Sequence, residues 1–86
     1  MKKIVSIFHM FELHQPICIV DDDKETVVAI SNLDSLGRDL ANLCHVHQVN
    51  HVHLFGNEEY ANQIIQDLKE QASLAYSNEN IIIEVN

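Results

Sequence analysis

The sequence predicts a single α/β domain built on a mixed β-sheet. Three observations lead to this prediction. The chain begins with three short apolar runs that are rich in β-branched residues. Two later segments repeat apolar residues at helical spacing. Each of the two helical segments is followed by another apolar run. A chain of 86 residues fits one domain with a modest core. The predicted element order is β-β-β-α-β-α-β, arranged in two or three layers.

The first three strands are expected to form an antiparallel meander. The run "KKIVSIFHMF" (residues 2–11) is β-branched and aromatic, and a turn that ends at Pro16 separates it from residues 17–20. The acidic loop "DDDKE" then joins residues 17–20 to residues 26–30 as a hairpin. Because both hairpin strands are apolar on their two faces, we expect a sheet that is covered on both sides.

The second half of the chain predicts two helices, each followed by a parallel strand. Residues 31–48 carry leucines at helical spacing, and Ser31 with Asp34 forms a near capping box at their start. Gly37 inside this helix is expected to weaken it by about 1 kcal/mol relative to alanine. The remaining elements are a strand at 51–55, a helix capped by Asn57 with the inward residues Ala61, Ile64, Ile65, Leu68 and Ala72, and a last strand at 80–85.

This element order resembles that of the ribonuclease H-like fold, and the resemblance covers nearly the whole chain. It implies a site in which several carboxylates bind two Mg²⁺ ions, the first acid lying midway along the first strand. Ser6 or His9 stands there in this sequence, and the fourth strand is followed by no carboxylate before Glu58. Asp34 and Asp39 project from different faces of the first helix. We therefore expect a domain without catalysis, with a degenerate Mg²⁺-dependent nuclease as an alternative.

The stretch "CHVHQVNHVH" concentrates four histidines and one cysteine. His51 and His53 share one side of a strand and form a bidentate pair suited to Zn²⁺ or another transition metal. Cys44 and His47 lie one turn apart on the helix, so the four residues are a candidate metal site. In the other interpretation, which we favour, the strand histidines are hydrogen-bonded structural residues, and His45 and His47 complement the helix dipole.

Composition and charge narrow the classes of function. Thirteen acidic residues against five basic ones give a net charge of −8, and without a cluster of cations the chain is not expected to bind nucleic acid or a membrane on its own. Cys18 and Cys44 are too few for a disulfide framework and are expected to be buried thiols. Ser6, His9 and Glu12 interrupt the apolar start, which differs from a signal peptide, so we expect a cytoplasmic protein.

The expected function is therefore protein–protein interaction rather than catalysis or cofactor binding. The edge of the meander is apolar and has few charges to block it, which favours pairing with another chain or with a symmetric copy in a homodimer. The acidity of the domain favours a basic partner surface. A small acidic protein rich in Asn and Ile and without Trp is also typical of viral, phage or mobile-element accessory proteins.

Overall fold

The computed structural model describes residues 3–8, 15–21, 26–56 and 58–86. Within these ranges the chain forms a five-stranded mixed sheet and two α-helices, which confirms the predicted mixed α/β class. The predicted end of the first strand at Phe11, the acidic hairpin loop and the Asn57 cap lie outside the described residues. The elements are β1 (Lys3–Ile7), β2 (Ile17–Asp21), β3 (Thr26–Ile30), a 3₁₀ turn (Leu33–Ser35), α1 (Leu36–His47), β4 (His51–Phe55), α2 (Glu58–Tyr76) and β5 (Ile82–Val85).

The strands lie in the order β3-β2-β1-β4-β5, with β1 at the centre. The meander is antiparallel, since β1 pairs with β2 and β2 with β3 in opposite directions. On the other side β4 runs parallel to β1, and β5 runs parallel to β4. Ile4 lies between Val20 and Val52 in this register, so apolar side chains meet across the centre of the sheet.

Both helices lie on the same face of the sheet. The connections from β3 to β4 and from β4 to β5 cross the sheet in the same direction, and right-handed crossovers of that kind place their helices on one side. There α1 packs against α2, and the two helices cover the inward side chains of the strands. The described part of the chain therefore has two layers. Its core contains Ile4, Cys18, Val20, Val52 and Leu54 from the sheet and Leu36, Leu40, Cys44, Ala61, Ile64, Leu68 and Ala72 from the helices.

Gly37 determines how closely α1 approaches α2. A Cβ atom at this position would lie 2.9 Å from the backbone nitrogen of Leu68 and 3.0 Å from the carbonyl oxygen of Ile64. Backbone atoms of a packed helix cannot move aside as the end of a flexible side chain can. The residue that lowers the helix propensity of α1 is therefore the one that permits its contact with α2.

The start of α1 differs from the prediction, and its end agrees with it. The Ser31 hydroxyl does not cap the helix with Asp34 in a capping box, because it donates a hydrogen bond to the carboxylate of Asp39. Ser35 donates to the same carboxylate oxygen at 2.9 Å, and the helix begins at Leu36 after the 3₁₀ turn. At the other end Gln48 adopts the left-handed conformation, with φ 55° and ψ 47°, and stops the helix as expected.

Candidate functional site

The face of the sheet opposite the helices is apolar and is not covered by any described residue. On β3 the exposed fraction is 61% for Val28 and 70% for Ile30, whereas Val27 and Ala29 pack against the core. The prediction of a sheet covered on both sides is therefore wrong for the described part of the chain. We call this surface the open face, and its apolar members are Val5, Ile7, Ile17, Ile19, Val28, Ile30, Phe55 and Ile82.

The strand register aligns these side chains in rows that cross the sheet. Residues directly opposite each other on neighbouring strands point to the same face, so each row is a continuous line of contacts. One row extends from β3 to β4 and is entirely apolar: Ile30, Ile17, Ile7 and Phe55. The next row is apolar up to β1 and polar beyond it: Val28, Ile19, Val5, His53 and Glu84.

The composition of the open face is unusual for the outer surface of a sheet. The solvated side of an antiparallel sheet is normally polar, whereas here it consists mainly of valine and isoleucine. Five strands spaced by about 4.8 Å and about five residues long cover about 400 Å². The apolar members occupy a little more than half of this area, and exposed apolar patches of a few hundred Å² are often functional, because burying them removes about 25 cal/mol of unfavourable hydration per Å².

His51 and His53 form a polar margin of the open face together with Glu84. His51 Nε2 lies 3.3 Å from Oε1 of Glu84, close enough for an ion pair with a protonated ring but without hydrogen-bond geometry. His53 Nδ1 lies 3.6 Å from Oε2 of the same carboxylate, and His53 Nε2 is 3.1 Å from Oδ1 of Asn86. The His53 ring also stacks on Phe55 with centroids 4.1 Å apart. Glu84 therefore lies between the two imidazoles and joins β4 to β5.

The structure does not bring the four predicted metal ligands together. Cys44 is buried in the core on α1, and His47 lies in the last turn of the same helix. His51 and His53 point to the open face, so the sheet separates the two pairs. Within the described ranges, no three His, Cys, Asp or Glu side chains are arranged to hold a metal ion. His53 forms a hydrogen bond with Asn86, whereas Nε2 of His51 is buried without a hydrogen-bond partner beside Glu84.

The thiols and the remaining helix histidine have structural surroundings as well. Cys18 and Cys44 are free and buried. Burial raises the pKa of the Cys18 thiol to about 11 and that of Cys44 to about 12, as expected for a desolvated thiol. Both are protonated at neutral pH and are poor nucleophiles. His45 lies in the last turn of α1, where it stacks on Tyr76 with ring centroids 4.3 Å apart.

The acids that the ribonuclease H resemblance implies do not converge in the described part of the chain. Ser6 is 0% exposed under the helices, and the Cys18 thiol lies 3.9 Å from its hydroxyl oxygen as a weak donor. Asp39 is occupied by the hydroxyls of Ser31 and Ser35, while Asp34 is exposed on the 3₁₀ turn. The contacts of Asp39 lie at the start of α1, and within the described ranges these residues do not form a cluster that could hold a cation.

No protein-family model, curated protein or solved structure matches this chain. Its class is therefore defined by its own geometry, which is a two-layer α/β domain with a five-stranded mixed sheet and an apolar open face. None of the helices in the described ranges is sufficiently long and apolar to span a membrane.

Proposed function

We propose that this chain is a non-catalytic protein-interaction domain with ribonuclease H-like topology, and that the open face is its binding surface. The observation that carries the proposal is the exposure of β-branched side chains on the edge strand β3 and at the end of the central strand β1. Val28 and Ile30 are more than half exposed although each has apolar neighbours across the strands. The binding of another protein to these side chains is favourable, because it removes their apolar surface from water.

The arrangement of the strands supports the topology. A three-stranded antiparallel meander is extended by two parallel strands, which join the sheet beside β1 rather than beside β3. The element order is the one on which the ribonuclease H resemblance rests. Two helices on one face leave the other face of such a sheet for an additional layer, which we assign to a binding partner.

The contacts of the polar residues support interaction over catalysis. Of the two residues that could stand at the position of the first nuclease acid, His9 lies outside the described residues and Ser6 is fully buried, so a metal ion at Ser6 would have neither a carboxylate ligand nor access to solvent. The alternative of a metal-binding or sensing protein has less support, since the sheet separates Cys44 from His51 and His53. A viral, phage or mobile-element origin and a cytoplasmic location stay predictions from the composition.

Site-specific photocrosslinking in the native host tests the proposal. A benzophenone amino acid at position 28 is expected to give a covalent protein adduct, because this position is exposed on the open face. The matched control is the same amino acid at Val46, which is equally exposed at 61% but lies on α1. An adduct at position 28 and none at position 46 supports the open face as the binding surface. Equal labelling at both positions, or none at position 28, contradicts it.

A further inference from the structure

We infer that the open face binds a second copy of this chain, so that two sheets pack face to face with the two helical layers outside. This inference rests on the proposed function and specifies its partner. Three properties of the structure support it: the width of the open face, the distribution of charge between the two sides of the sheet, and the central position of a small apolar residue.

The open face is wider than a single helix can cover. An α-helix with its side chains is about 10–12 Å in diameter, whereas five strands span about 24 Å. A partner helix would leave about half of the sheet uncovered, including one of its edges. A second sheet of the same width covers all the rows at once. Two open faces in contact bury about 400 Å² from each copy, which is about half of what each partner contributes to a standard interface, so we expect a weak and reversible dimer.

Within the described residues, the helical side carries more charge than the open face. Residues 33–47 and 58–76 contain six Asp and Glu against two Lys and Arg. The outward positions of the strands carry Lys3, Asp21 and Glu84, with Lys3 directly opposite Asp21. A second copy therefore meets a nearly neutral surface on the open face.

Sheet-to-sheet packing also keeps the two acidic layers apart. Each copy is 19 Å thick and packed sheets are about 10 Å apart, which places the helical layers about 30 Å from each other. This distance is about three Debye lengths at 0.1 M salt, so their mutual repulsion is screened.

Val5 lies at the centre of the open face. It is the middle residue of β1, and β1 is the middle strand of the sheet. A symmetric dimer of this kind has a two-fold axis in the plane between the sheets. When the axis passes through the centre of the face, Val5 of one copy lies opposite Val5 of the other copy, whatever the direction of the axis in that plane.

Sedimentation equilibrium of the wild-type chain and three variants tests the inference. The wild-type chain is expected to sediment as a reversible dimer of the 9.8 kDa chain. Val5→Asp is expected to be monomeric, because the contact would bury two carboxylates without partners, and Val28→Asp at the exposed edge of the open face is expected to weaken the dimer for the same reason. Leu74→Asp is the matched control, because Leu74 is 74% exposed on α2, and it is expected to stay dimeric. Circular dichroism identifies the variants that are folded.

The outcomes separate the two proposals. A wild-type dimer that the folded open-face variants dissociate and Leu74→Asp does not supports the second copy. A dimer that the folded open-face variants leave intact overturns it, as does a monomer at millimolar concentration. In the monomeric case the fluorescent probe anilinonaphthalene sulfonate decides about the proposed function. If the wild-type chain binds the probe and Ile17→Asp does not, the open face remains a binding surface for another protein. If the wild-type chain does not bind the probe, the face is covered and both proposals are overturned.

Discussion

Val28 and Val46 are a matched pair of residues for testing the open face. Both side chains are 61% exposed, but Val28 lies on β3 in the open face and Val46 lies on α1. Threonine has the shape of valine and replaces one methyl group with a hydroxyl. Full burial of a valine side chain contributes about 1.5 kcal/mol, so the exposed part of Val28 has about 1 kcal/mol still to gain on binding. Val28→Thr removes most of this gain.

The loss of binding free energy doubles in a symmetric dimer, because each interface contains Val28 twice. The loss of about 2 kcal/mol raises the dissociation constant about 30-fold, whereas Val46→Thr leaves it within about a factor of two. Sedimentation equilibrium over a dilution series measures the constant for both variants. Circular dichroism confirms that each variant is folded, since threonine keeps the strand propensity of valine.

Equal dissociation constants for Val28→Thr and the wild-type chain would refute this reasoning. So would an equal weakening by Val46→Thr, because the effect would then come from the loss of a methyl group at any exposed position and not from the open face.

Three further predictions concern the interior of the domain and the histidines. Gly37→Ala is expected to lower the free energy of unfolding, measured in urea, by about 2 kcal/mol. The overpacking against α2 costs about 3 kcal/mol, whereas the higher helix propensity of alanine contributes about 1 kcal/mol. A variant more stable than the wild-type chain would contradict the close contact of the helices. The free energy of unfolding is expected to fall as the pH rises from about 9 towards 11. Cys18 and Cys44 keep their protons in the folded chain in this range, whereas the thiols of the unfolded chain lose them. A free energy of unfolding that does not change with pH would contradict the burial of both thiols. Calorimetric titration of untagged, chelator-stripped protein with Zn²⁺ is expected to show no tight one-to-one binding, and a tight site abolished by His51→Ala/His53→Ala would restore the metal-binding alternative.

The sequence was sufficient to predict the elements and their order. The strand predictions for residues 26–30 and 51–55 match β3 and β4, and the helix ends at Gln48 as its pattern indicates. These segments have clear periodicity and end signals, so local preferences and the final structure agree.

Features that depend on which elements meet could not be predicted in the same way. The apolar character of both faces of β2 and β3 was visible in the sequence, but periodicity does not show on which face the helices lie. Only the common direction of the two crossovers shows that one face has no helix. Likewise the role of Gly37 depends on its distance from Leu68, and Ser31 binds Asp39 rather than a helix end because the 3₁₀ turn places them together.

The candidate site depends on contacts between elements that the spacing of residues does not define. The sequence pointed to Cys44, His47, His51 and His53 because their spacing allows metal binding, yet strand alternation and the helix position place them on different sides of the sheet. The signal for the open face was the excess of apolar residues at outward strand positions. A sheet that is covered on both faces by elements of its own chain is the simpler interpretation of this excess, since it requires no partner.

Isotope-filtered nuclear Overhauser spectroscopy on a mixture of labelled and unlabelled chains tests the central claim most directly. The experiment detects methyl groups of one copy that lie within about 5 Å of another copy, which is the range of side chains in contact across packed sheets. We predict intermolecular signals between the methyl groups of Val5, Ile19 and Val28. Signals confined to α2 residues such as Leu74, or the absence of any intermolecular signal at millimolar concentration, would contradict the binding of a second copy to the open face.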